Sequence, residues 1–117
     1  MLGASDDPRR VAHRAQALLA EHGHRVVGVN PRLTNADGTP CVASLALVRE
    51  PVDTITVYLR PELAEPLGDA MVALHPTRVI FNPGSESLAL SQKLEAAGIR
   101  VQWECTLVLL RNGAYAT

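Results

Sequence analysis

Apolar positions along the chain follow two alternating rhythms. Short β-branched runs at residues 25–29, 54–59, 78–81 and 99–103 have the length and composition of buried strands. Between them the apolar residues recur at helical spacing. Over residues 9–22, Val11, Ala15, Leu18, Leu19 and His22 form a stripe, with Arg14, Gln16 and Glu21 off it. Asp7 is placed to cap this helix, Pro8 to open it and Gly23 to close it. Leu63, Leu67, Ala70, Met71 and Leu74 predict a second helix, with Pro66 marking its true first turn and Pro76 its end. Leu90, Leu94 and Ala97 predict a third helix over residues 87–97, and residues 106–111 a short terminal one closed by Asn112-Gly113. Residues 33–40 are rich in turn formers and are read as a loop. Cys41-Val42 is read as a very short strand, and residues 44–48 as one or two helical turns.

Strands alternating with helices, through connections too long for hairpins, predict an α/β domain: an open parallel sheet with helices on both faces. The first strand is apparently truncated. A strand averages about five or six residues, yet only Met1 and Leu2 precede the turn Gly3-Ala4-Ser5. A start placed too late, or a truncated chain, is the expectation from that shortness. In such a sheet Met1-Leu2 must lie between the strands of residues 26–29 and 54–59; direct pairing of those two would displace the Gly3 turn.

A length of 117 residues fits one domain, 1–117. Hydrophobic residues at 47% and charged residues at 20% are ordinary for a soluble globule, and aromatics at 3% leave the core to Val, Leu, Ile and Ala. A net charge of −1 supplies no global attraction to nucleic acid or membrane, so any anion site is local. The two cysteines, Cys41 and Cys105, are far apart and form no Cys-x-x-Cys, which argues against a disulfide scaffold or zinc site. With no membrane-length apolar run and no basic-then-apolar leader, the chain is read as cytoplasmic.

Ligands of open parallel sheets sit beyond the carboxyl ends of the strands, where strand order reverses. The residues that follow the strands here are Gly3-Ala4-Ser5, Asn30-Pro31-Arg32, Leu59-Arg60-Pro61, Asn82-Pro83-Gly84-Ser85 and Glu104-Cys105-Thr106. The first turn lacks the G-x-G-x-x-G pattern of dinucleotide binding, and the second strand ends in an arginine rather than an acid. An arginine there suits a ribose bearing an extra phosphate, as in NADP or coenzyme A.

The ordered set is similar to the small single-domain CoA-binding proteins and to the nucleotide-binding domain of the succinyl-CoA synthetase α subunit. It consists of Gly-Ala-Ser, Arg14, Val29-Asn30-Pro31-Arg32, Pro51-Val52-Asp53-Thr54 leading into Val57-Tyr58-Leu59-Arg60-Pro61, Phe81-Asn82-Pro83-Gly84 and Glu104-Cys105-Thr106-Leu107-Val108. The resemblance implies a Rossmann-like fold that binds coenzyme A or an acyl-CoA across the strand ends. Carried over by position, Gly3, Ala4 and Ser5 approach the pyrophosphate through backbone N–H groups, and Arg14 reaches the phosphates. Asn30, Pro31 and Arg32 line the adenosine and ribose-phosphate side. Tyr58, Leu59 and Pro61 form one wall, which Pro83 and Gly84 continue. Asp6 and Asp7 depart from this scheme by placing negative charge beside it.

Cys105 is the tempting nucleophile, but no histidine neighbours it in sequence, and an isolated cysteine is read as packing. Glu104 is given no acid–base role, and His13, His22, His24 and His75 show no ligand spacing. The function expected is therefore binding of a small molecule without chemistry of its own, with no metal, nucleic acid or membrane and no protein partner specified. Two alternatives remain: a small NADP- or nucleotide-dependent enzyme using Cys105 or Glu104, and a nucleotide-responsive regulatory module.

Overall fold

The computed structural model describes residues 1–116. Its strands are β1 (Gly28–Val29), β2 (Asn35–Ala36), β3 (Thr39–Val42), β4 (Thr54–Val57), β5 (Arg78–Phe81) and β6 (Arg100–Trp103). Its α-helices are α1 (Val11–Glu21), α2 (Pro61–Ala64), α3 (Gly68–Ala73), α4 (Leu88–Ala96) and α5 (Thr106–Arg111).

The sheet is two halves joined by one residue. On one side β1 runs parallel to β3, which pairs antiparallel with β2; on the other β4, β5 and β6 are parallel and in register. Leu2 bridges Val29 and Val57, parallel to both. Leu2 N donates to Thr56 O at 3.0 Å and Tyr58 N to Leu2 O at 2.9 Å; opposite, Val29 N donates to Met1 O at 2.9 Å and Gly3 N to Val29 O at 3.1 Å. The stub thus lies between the two strands, which do not pair directly with each other. The chain leaves it toward β1 on one side, while β4 flanks the other, so strand order reverses at the Gly3 turn.

By strand alternation Leu2, Val29, Ile55, Val57, Val79 and Phe81 face one side, forming a core with Ala64, Met71, Leu90 and Leu94 of α2, α3 and α4. The opposite side is covered by α1 and α5, which pack on each other. There Thr56 Oγ1 lies 2.8 Å from Thr106 Oγ1 of α5, and both residues are buried.

Several local expectations are corrected. The loop read over residues 33–40 holds the β2–β3 hairpin, turning at Asp37-Gly38 with φ of 52° and 99°. Asp-Gly is the pair that tolerates two such angles, but the strands beside it are too short to show alternation. Only Gly28 and Val29 of the run 25–29 are paired as a strand, because β3 reaches no further than Gly28 and the stub ends at Met1. The first helix begins at Val11, with Arg10 at its cap position and no side-chain cap. Asp7 is spent instead on Arg9, accepting from its backbone N–H at 3.0 Å and its guanidinium at 3.1 Å. The buried face of α1 is Ala12, Ala15, Gln16 and Leu19, while Val11 is 42% exposed; small side chains let the helix sit close to the first loop. The helix read from Leu63 is α2 and α3 joined by a 3-10 turn at Glu65–Leu67, where Pro66 has no N–H to continue an α ladder. Ala97 lies outside α4 and is exposed.

Candidate functional site

The strand-end loops meet at one edge, and buried polar side chains tie them to each other. Gly3 has φ +85°, and a Cβ there would lie 2.9 Å from Tyr58 O and 3.1 Å from Leu59 Cδ2. Only glycine lets the first turn pass this close to the end of β4. Gln16, on the buried face of α1, accepts from Ser5 N at 2.8 Å and donates to Ser5 O at 3.1 Å and Ala36 O at 3.3 Å. Asn30 Nδ2 donates to Ala4 O at 2.9 Å, and its Oδ1 accepts from Arg32 N at 2.8 Å. One glutamine and one asparagine therefore fix the first, second and hairpin loops.

This wiring decides which backbone donors of the first turn remain available. Gly3 N–H is given to Val29 O, Ser5 N–H to Gln16 and Asp7 N–H to Ser5 Oγ. Among the described residues, the N–H groups of Ala4 and Asp6 are left without a partner in the chain.

On the β4 and β5 side, Asn82 is the hub. It is 2% exposed; its Nδ2 donates to Thr56 Oγ1 at 2.7 Å and Val57 O at 2.9 Å, and its Oδ1 accepts from Thr106 N at 2.8 Å. It thus satisfies the first N–H of α5 and pins β4 to β5. Tyr58 stands beside this network. Its hydroxyl is fully buried beside Thr56 and Thr106, and burial pushes its pKa up to about 12. Leu59 packs against the core, and Pro61 occupies the first position of α2. Pro83 and Gly84 are exposed; Gly84 has φ +92° with open space around it, and its N–H is held by Glu86 Oε1 at 2.8 Å.

The charged residues are arranged more loosely. Pro31 and Arg32 are exposed beside Asn30, and the Arg32 guanidinium takes part in none of the ion pairs among the described residues. Arg60 is exposed, 4.0 Å from Glu62. Arg14 is exposed in a shallow groove between α1 and α5 with Pro8, His13, Leu107 and Arg111. Asp7 is held below the usual carboxylate range by its bonds to Arg9, and its charge is already paired. Cys105 is half-buried and Cys41 buried, both as free thiols; burial pushes Cys41 up. Among the described residues no cluster of His, Cys, Asp or Glu could hold a metal ion, and no helix is long and apolar enough to cross a membrane.

Sequence reading gave no role to the two residues that tie these loops together, Gln16, read as lying off the helix stripe, and Asn82, quoted only as a strand end. Gln16 carried a signal: positions 12, 15, 16 and 19 keep helical spacing, and a glutamine among them is a buried amide in need of partners. Asn82 carried none beyond a strand-ending Asn-Pro.

Among solved structures, an uncharacterized protein is 35% identical, with a TM-score of 0.86 over 97% of this chain and 93% of its own. A Thermus thermophilus protein is 34% identical, with a TM-score of 0.88 over 97% and 86%. The Candidatus Korarchaeum cryptofilum dinucleotide-forming acetyl-coenzyme A synthetase 1 shares the fold at 20% identity, with a TM-score of 0.75 over 88% of this chain and 24% of that chain. The uncharacterized protein YneT of Bacillus subtilis is 32% identical over 62 residues, spanning 53% of this chain and 46% of YneT, less than half its length. With a Rossmann-like sheet, a loop-built strand-end edge and a match to the family model over residues 1–111, this chain belongs to the CoA binding domain family.

Proposed function

We propose that the chain binds coenzyme A or an acyl-CoA across the carboxyl ends of its parallel strands and performs no chemistry on it. The observation that carries this reading is that the Gly3–Ser5 turn lies against Asn30 on one side and Tyr58-Leu59 on the other at the point of strand reversal, with two first-turn N–H groups left uncommitted among the described residues. Uncommitted backbone donors at such a turn are suited to a phosphate oxygen. In this reading Ala4, rather than Gly3 or Ser5, supplies the N–H within the Gly-Ala-Ser turn. Arg32, exposed and free of ion pairs among the described residues, is the group for the ribose phosphate, and Tyr58, Leu59 and Pro61 form the wall. Arg14 reaches the phosphates only from the α1–α5 side. The nucleotide supplies the thiol that carries an acyl group; the chain's part is to hold and orient it.

Isothermal titration with coenzyme A and dephospho-CoA tests this. Arg32→Ala is expected to weaken coenzyme A by about tenfold, the value of one charge-assisted contact, and to leave dephospho-CoA nearly unchanged. Equal losses for both ligands would remove Arg32 from the ribose phosphate. Cys105→Ala is expected to bind normally; turnover of acyl-CoA that disappears in this variant would favour the enzyme reading instead.

A further inference from the structure

The sheet ends on β6. This strand pairs with β5 alone, and among the described residues no strand lies along its outer edge. Arg100 N donates to Thr77 O at 3.2 Å and Glu104 N to Phe81 O at 3.2 Å, both toward β5. Every second residue of a strand directs its N–H and C=O the same way. Gln102 therefore also faces β5, while Val101 and Trp103 direct theirs outward. An open edge of this kind is a template for another strand, and proteins blunt such edges with proline, lysine or a bulge. β6 carries none of the three.

The side chains along this edge suit one particular strand, which is β6 itself. In Arg100-Val101-Gln102-Trp103-Glu104 a positive and a negative charge stand at equal distances from Gln102. Both are exposed, and neither takes part in an ion pair among the described residues. Arg100 and Gln102 are in register with Arg78 and Ile80, so with Glu104 they lie on the α5 side of the sheet. The other cations there are placed elsewhere: Arg78 is buried and donates to Gln102 Oε1 at 3.0 Å and Tyr115 O at 2.7 Å, and Arg111 lines the groove toward α1. On the opposite side Val101 packs against the core, and Trp103 is 52% exposed with its ring fixed by a bond from Nε1 to Ser91 Oγ of α4 at 3.0 Å. Leu88, one turn before Ser91 on the same face of α4, is also exposed. Of the charges on α4, Lys93 is paired with Asp69 at 2.6 Å, and Glu95 lies across the sheet from Arg100 and Glu104.

We infer that two copies of this chain join edge to edge through β6, antiparallel about a two-fold axis at Gln102, so that the sheet runs on from one copy into the other. The outward groups restrict the register. In an antiparallel pair, residues that exchange hydrogen bonds alternate with residues that do not, so an outward residue must stand opposite an outward one. An axis at Gln102 sets Val101 against the partner's Trp103, and Trp103 against the partner's Val101. Each such pair exchanges main-chain hydrogen bonds and adds an aromatic to β-branched contact. The same axis sets Arg100 against the partner's Glu104, and Glu104 against the partner's Arg100, in the closely spaced pairs where side chains meet best. An axis at Val101 or at Trp103 keeps outward against outward, but it sets Arg100 against the partner's Gln102 or the partner's Thr106. Charge therefore selects one register. A fixed, exposed tryptophan is the kind of anchor around which interfaces form. The inference does not depend on what binds at the strand ends.

The test is sedimentation velocity of the full chain from micromolar to millimolar concentration, with amide hydrogen exchange measured alongside. A reductant is kept present so that Cys105 thiols cannot link two copies. A concentration-dependent dimer is expected, with the Val101 and Trp103 amides gaining protection as it forms. Arg100→Glu and Glu104→Arg each set like charges against each other at both ends of the pairing. Each is expected to weaken the dimer by about tenfold. The double variant restores opposite charges in the same register and is expected to recover to within about threefold of the unaltered chain. A chain that stays monomeric at millimolar concentration would overturn the proposal and leave Arg100 and Glu104 as charges that guard the edge. Dimers that leave Val101 and Trp103 unprotected would place the contact elsewhere and overturn it equally. A double variant as weak as the single ones would overturn the axis at Gln102.

Discussion

Replacing Gly3 by alanine separates two penalties that a glycine in a tight turn can hide. The first is conformational. At φ +85° any residue with a Cβ is strained, at about 1–2 kcal/mol. The second is steric and particular to this turn. The new methyl would sit 2.9 Å from Tyr58 O, 3.0 Å from Tyr58 C and 3.1 Å from Leu59 Cδ2. Two of these are backbone atoms of a segment held by the hydrogen bond from Tyr58 N to Leu2 O, so they cannot yield as a flexible side chain would. Overpacking of that kind adds about 1–3 kcal/mol. Gly98→Ala is the control, because Gly98 has φ +83° and nothing within 4 Å of its Cβ position; it carries the conformational penalty alone. Urea unfolding of both variants is expected to place Gly3→Ala about 1–3 kcal/mol below Gly98→Ala. Coenzyme A affinity should fall for Gly3→Ala only, since displacing the first turn moves the Ala4 donor. Equal stability losses in the two variants would refute the close approach of the turn to β4, and with it the position of the first wall of the site.

Two further tests address the sheet from its two ends. Burial pushes the Met1 amine from 8.0 down to about 6, so the unfolded chain holds more protons between those values and stability rises with pH across pH 6 to 8. The gain is about 2 kcal/mol, read by urea unfolding at the two pH values; Nα-acetylation should abolish it, and identical slopes with and without the acetyl group would refute it. Asn82→Ala leaves Thr106 N–H, Val57 O and Thr56 Oγ1 short of a partner at a fully buried site and is expected to destabilise by about 2–4 kcal/mol in the same assay; a loss under 1 kcal/mol would show that α5 is not anchored through this side chain.

The same residues show where sequence patterns suffice and where they stop. The β5 range Arg78–Phe81 and the α5 range Thr106–Arg111 were legible because their apolar periodicity is local and their ends carry Asn-Pro-Gly and Asn-Gly. The parallel α/β class followed from alternation, and the place of Met1-Leu2 between two strands from the Rossmann-like fold that the resemblance implies. The location of the candidate site followed from the same topology. The β2–β3 hairpin was not legible, because strands of two to four residues carry no readable period, and neither was the break at Glu65–Leu67.

The sequence by itself therefore determined the architecture and which loops share the strand-end edge, because strand and helix periodicities are properties of consecutive residues. Only the tertiary structure decided which groups at that edge are free. The backbone N–H groups of Gly3 and Ser5 are taken by Val29 O and Gln16 Oε1, and the Asn30 side-chain amide donates to Ala4 O. Hydrogen-bond donors are consumed by whatever packs closest, and the partners here come from 11 to 26 residues away.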